Sequence, residues 1–159
     1  MTQTEIFLKM TFDRWNASVK SFDTLISSLT DDDLQREIAP GKNRGIYLLG
    51  HLIAVHDDLL VLLDMGEKLY PELQEAFLKN ADKVITPIPP AAILRNYWSN
   101  QCEVLQQKFD KLAPNDWFDK HTAVSAEDFA REPYRNKLNI IVTRTTHLQY
   151  HIGQLRLLK

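Results

Sequence analysis

His147 and His151 stand four residues apart in the stretch RTTHLQYHIGQLRLLK, Arg144 to Lys159. On an α-helix this spacing puts both imidazoles on one face, one turn apart. Two such rings can ligate one metal ion when a third ligand arrives from elsewhere in the chain. His51 is the best candidate for that ligand, because it lies in the other strongly apolar stretch, Ile46 to Leu63. Three neutral imidazoles around an ion leave positions open for water or substrate, which is a site of catalytic type. Such an ion acidifies a bound water, or binds and activates a thiolate, at neutral pH. The plainer reading of each residue is a hydrogen-bonded core histidine, and an i, i+4 pair also arises by chance.

Neighbouring residues exclude two chemistries. A zinc-protease helix needs His-Glu-x-x-His, and His147-Leu148-Gln149-Tyr150-His151 has no glutamate between its histidines. Di-iron bundles need Glu-x-x-His on each of two helices, and no glutamate lies three residues before His51, His56, His147 or His151. His56 follows His51 by five residues, a rotation of about 140° on a helix, so it faces away from the proposed ion. Asp58, seven residues after His51, returns toward that face and is a candidate carboxylate behind the ligands, with a solvent-facing role as the alternative. Gln154, one turn beyond His151, can hydrogen-bond a ligand histidine or a substrate; a surface glutamine is the plain alternative. His121, in an irregular stretch, has a weak claim.

The elements that must position these residues are helical. Long stretches have neither glycine nor proline, and no alternating strand pattern or Asn-Gly or Asp-Gly hairpin signal occurs. A first helix is expected from about Thr4 to Ser28, with Phe7, Met10, Ala17, Leu25 and Leu29 in its apolar stripe, widened by Phe22 and Ile26. Thr30 caps a short helix. A second long helix is expected from Ile46 to Met65, apolar nearly all round and therefore the most buried. Gly50 inside it costs roughly 1 kcal/mol relative to alanine, which close approach of a neighbouring helix beside His51 would offset. Tyr70 to Asn80 reads as a short surface helix. A third long helix spans about Pro90 to Leu112, and a last one begins near Tyr134 or Arg135. The expectation is an all-α four-helix bundle, a single domain over 1–159, with one longer crossover connection between the second and third long helices.

Composition agrees with a globular chain: 159 residues, 44% hydrophobic, 25% charged and a net charge of -2. No basic field is available for a phosphate backbone, and Lys42-Asn43-Arg44 reads as a solvated loop, so no nucleic-acid partner is expected. The one cysteine, Cys102, excludes an internal disulfide and suits a reducing cytoplasm. The opening stretch lacks a basic region followed by an apolar core, so no signal peptide is expected. His51, His56, Asp57 and Asp58 make Ile46–Leu63 a poor membrane span, so no membrane association is expected.

Gly50-His51-Leu52, taken with His147-Leu-Gln-Tyr-His151-Ile-Gly153-Gln154, resembles the DinB/YfiT-like superfamily. The resemblance covers the whole chain in length and helix order, while its specific motifs are these two segments. It implies a four-helix bundle in which His51, His147 and His151 hold a divalent metal, zinc or nickel. Characterised relatives include thiol-dependent isomerases and S-transferases, and others are called metal-dependent hydrolases. It also implies a homodimer. No motif for a thiol-binding pocket is matched here.

Two classes of function follow. The first is a metal-dependent enzyme acting on a small molecule. It is either an S-transferase using a low-molecular-weight thiol, or a hydrolase in which metal-bound water attacks. No carboxylate or further histidine is spaced to be a general base, which favours thiol transfer; no catalytic residue is assigned. The second is a non-catalytic bundle that binds metal, or whose histidines are structural.

Overall fold

Four of the six α-helix starts carry a side-chain cap. Thr2 and Glu5 form a reciprocal capping box, with Thr2 Oγ1 accepting the Glu5 N–H at 3.2 Å and the Glu5 carboxylate accepting the Thr2 N–H at 2.7 Å. Helix α1 follows, Gln3–Ser28. Thr30 and Asp33 repeat the device at α2, Asp31–Gln35. Ser125 caps α5, Ala126–Arg131, and Asn136 caps α6, Lys137–Leu155. The central helices α3, Gly45–Leu62, and α4, Ala91–Phe109, have no side-chain cap. The computed structural model describes residues 1–159 and is all-α, with the four long helices α1, α3, α4 and α6 forming the bundle.

Helix α1 packs along α6, and α3 packs against both α4 and α6. Phe22 of α1 meets Trp98 of α4 with ring centroids 4.4 Å apart, and the Trp98 indole donates to Asp23 at 2.6 Å. Helix α3 is long and apolar enough by composition to cross a membrane, but 72% of that stretch is buried inside the fold. It is the central core helix.

The interior holds two apolar clusters. One contains Phe22, Leu52, Ile53, Phe77, Trp98, Leu148 and Ile152. The other contains Trp15, Leu59, Leu63, Leu105, Phe109 and Ile141. Between the parts of α3 that feed them lie His56 and Asp57, both with 0% exposure. Asp57 is satisfied: it accepts the N–H groups of Leu69 and Tyr70 at 2.9 and 2.7 Å and the Gln101 amide at 3.1 Å. These bonds pin the start of the crossover to α3.

Several expectations need correction. Phe7 and Met10 are 60% and 61% exposed, and the buried stripe of α1 runs through Trp15, Ser18, Phe22, Leu25 and Ile26. The hydrophobic pattern does not tell which apolar residues on α1 find a neighbour. Residues 70–80 hold the expected short helical segment, but it is wider than an α-helix, with Glu75–Lys79 forming a π-helical turn, and Leu73 and Phe77 on it are buried. Arg44 is not solvated either. Its guanidinium and backbone N–H hold Asp82, with Nη2 to Oδ1 at 2.7 Å, which ties the far end of the crossover to the start of α3.

Candidate metal centre

The crossover decides where His51 points. Gly50 has no side chain, and the Phe77 ring fills the space; an added Cβ would come within 2.3 Å of that ring. The neighbour that approaches Gly50 is therefore a side chain of the crossover, where a helix is expected from the sequence. With the ring so placed, the Phe77 carbonyl lies 2.9 Å from His51 Nδ1. A carbonyl only accepts, so Nδ1 carries the proton and Nε2 presents a bare lone pair.

His151 is prepared in the same way. Its Nδ1 donates to Gln154 Oε1 at 2.7 Å, and the Gln154 amide donates to Tyr150 Oη at 3.1 Å. His151 Nε2 is thereby also a bare lone pair. Both face His147: the Nε2 atoms of His147 and His151 are 3.0 Å apart, and those of His147 and His51 are 3.4 Å apart. His147 Nδ1 is buried and has no partner. Three nitrogens thus converge with at most one proton among them, and one proton can bridge only one pair. A cation satisfies all three. Zn–N bonds of 2.0–2.1 Å at tetrahedral angles separate ligand nitrogens by about 3.3 Å, and the spacings of 3.0 and 3.4 Å from His147 to its two neighbours bracket that value. The three histidines are the group of His, Cys, Asp and Glu side chains placed to hold an ion, with ligand atoms all within 4.8 Å of one another.

The electrostatics suit ligands. Burial holds His147 down to about 4, helped by the neighbouring His151, His51 and Arg144 charges. Burial also lowers His151, opposed by its bond to Gln154. At neutral pH both rings are neutral, the form that binds metal.

The other candidate residues go elsewhere. Asp58 pairs with Lys68 at 2.6 Å and does not join the three rings. His56 lies between Trp15 and Trp98, with ring centroids 5.1 Å away on each side. Its burial is complete, and its proton affinity falls to about 3. His121 accepts the Ala123 N–H at 3.2 Å within its own loop. Cys102 is half-buried, and burial pushes its thiol up to about 12, so it offers no thiolate. The Phe77 carbonyl was not foreseeable as a partner, since a backbone acceptor carries no residue signature; Gly50 beside His51 was the only trace of it.

A helical bundle with three convergent imidazoles on two of its helices, two of them with the tautomer set by an acceptor, defines a class of proteins with a candidate metal centre. The DinB superfamily model matches residues 14–155, and the chain belongs to that superfamily. A comparison with the curated proteins found no match.

Proposed function

We propose that the protein is a metal-dependent S-transferase. In this reading His51, His147 and His151 hold zinc or nickel, and a low-molecular-weight thiol binds beside them. When bound, the ion supplies Lewis acidity that favours a thiol as its thiolate near neutral pH. The transfer forms a C–S bond to an electrophilic substrate, the leaving group departs with its electron pair, and the thiol proton passes to solvent. The protein's own part is to hold the three lone pairs and keep His147 and His151 neutral.

One observation carries the preference for thiol transfer. The candidate bases are committed: Asp57 accepts three hydrogen bonds, Asp58 pairs with Lys68, and His56 is sealed and resists protonation. A thiolate needs no general base at the moment of attack, whereas hydrolysis gains about 10²–10⁴-fold from one. With Cys102 held as a thiol, the sulfur comes from a separate molecule. Hydrolysis by metal-activated water is the second reading, and it rests on the same three ligands. A metal-binding bundle without catalysis is the third.

The test is elemental analysis of protein purified without an affinity tag, followed by thiol-dependent turnover of a generic electrophile. About one divalent ion per chain is expected, with turnover for at least one thiol. Metal without turnover for any thiol returns the site to hydrolysis or binding. No metal, and no thermal shift with zinc or nickel, removes the enzyme reading.

The same reading includes a cytoplasmic homodimer with no nucleic-acid or membrane partner. Exposed Phe7, Met10 and Val142 line a groove of about 330 Å³ between α1 and α6, which supports a covered face there. Phe7→Glu is expected to halve the mass seen by sedimentation equilibrium; a wild-type monomer at micromolar concentration would refute the dimer.

A further inference from the structure

The protein's buried side-chain polar atoms without partners are few, and they gather. They are both ring nitrogens of His56, Oε1 of Gln101, Nε of Arg144 and Nδ1 of His147. All belong to the three helices α3, α4 and α6. His56 and Gln101 are fully enclosed, and Gln101 reaches across to α3 through its amide bond to Ile53 O at 3.0 Å. Native interiors leave few such atoms unpaired, and each one asks for a missing partner.

Arg144 is the charged member of this group. It lies three residues before His147 and seven before His151, so helix geometry puts it about 4.5 Å along the axis from His147 and about 20° from the direction of His151. It therefore shares the inward face of α6 with both candidate ligands. Its guanidinium enters no hydrogen bond and no ion pair. The acid whose charge acts on it is Asp58, which is already bound to Lys68 at 2.6 Å. Only Nε is sealed; the terminal nitrogens remain open to solvent. A guanidinium keeps its charge at any ordinary pH, and a half-buried one with no anion hydrogen-bonded to it lacks the partner such groups normally have.

We infer that Arg144 binds the carboxylate of the small molecule that engages the three-histidine centre. The planar fork of a guanidinium matches a carboxylate with two parallel N–H···O bonds. One unpaired positive charge calls for one negative charge, which favours a carboxylate over a doubly charged phosphate. The inference deepens the reading of His51, His147 and His151 as a metal site and rests on it. In that setting Arg144 orients the ligand and selects for acidic thiols or acidic substrates over neutral ones.

The experiment uses the full chain loaded with cobalt(II), whose visible spectrum reports the ligands around the ion. Mercaptocarboxylates of increasing length, from mercaptoacetate to 6-mercaptohexanoate, are titrated beside 2-mercaptoethanol, and the sulfur-to-cobalt absorption is followed. At the best length the carboxylate is expected to tighten binding at least about tenfold, the size of one charge-assisted pair. Arg144→Met is expected to erase that preference, leaving 2-mercaptoethanol affinity and cobalt stoichiometry unchanged. Arg144→Lys keeps the charge without the fork and is expected to restore part of it; it also serves if the methionine variant does not fold. Equal binding of acidic and neutral thiols at every length, or a preference that survives Arg144→Met, overturns the inference while leaving the metal site intact. A chain that takes up no cobalt overturns the metal reading and this inference together. If cobalt binds but no thiol does, propionate must perturb the cobalt spectrum in the wild type and not in Arg144→Met; otherwise the inference fails.

Discussion

Two groups of buried histidine nitrogens in this protein make a useful contrast. At the three-histidine site, His51 and His151 each give their Nδ1 proton to an acceptor, the Phe77 carbonyl and the Gln154 amide oxygen. Their Nε2 atoms are left bare and aimed at His147. His56, five residues from His51, is more deeply buried, yet neither of its nitrogens has a partner and aromatic rings flank it. Burial alone therefore does not make a ligand. What separates the two is the partner on the far side of the ring, which sets the tautomer and the direction of the lone pair.

The strongest way to break the contrast is to remove ligands. His51→Ala, His147→Ala or His151→Ala is expected to lower metal content from about one ion per chain to near zero, measured by elemental analysis, with far-UV circular dichroism unchanged. His56→Leu should leave the metal content intact; loss of metal there would erase the distinction. A smaller effect is expected when the orienting partner goes. Gln154→Leu removes the acceptor of His151 Nδ1 and is expected to weaken zinc affinity about 10–100-fold in competition with a chelator. Unchanged affinity would mean that the ring is held by packing alone.

Gly50→Ala tests the same idea from the other helix. The added methyl group meets the Phe77 ring, so the ring and its carbonyl must move. The overpacking is expected to cost about 1–3 kcal/mol in urea unfolding, outweighing a helix-propensity gain of about 1 kcal/mol, and to weaken metal binding as well. A stabilised variant would show that the contact yields easily.

The last test concerns pH. His56 has a folded-state value of about 3 against an ordinary 6.5, so the unfolded chain binds its proton first. Stability from this group is complete above pH 6.5 and falls as pH drops from 6.5 toward 3, by about 1.4 kcal/mol per pH unit. In metal-free protein, His56→Leu is expected to flatten the acid limb of stability between pH 6.5 and 4.5. An acid limb as steep as the wild type's would place the sensitivity in other groups.

The helices and the His147–His151 pair were legible in the sequence because both depend on local spacing, while His51 was singled out by its apolar stretch and by the family resemblance. Apolar residues at helical intervals mark α3, and the i, i+4 pair marks one face of α6. What lay outside reach depends on distant chain segments. The sequence could not show that Phe7 and Met10 stay exposed, that Arg44 meets Asp82 across 38 residues, or that Asp58 prefers Lys68 to the histidines. The wide turn at Glu75–Lys79 was also hidden, since its residues suit an ordinary helix.

Phe77 serves two residues by two different means. Its ring occupies the space above Gly50, while its main-chain oxygen receives the proton of His51. In descent these two duties are inherited differently. Any residue at position 77 brings the oxygen, so that duty survives substitution. The ring is in competition with whatever stands at position 50. Bulk at the two positions should therefore trade off among descendants of this chain: a larger residue at 50 would accompany a smaller one at 77, with His51 unchanged.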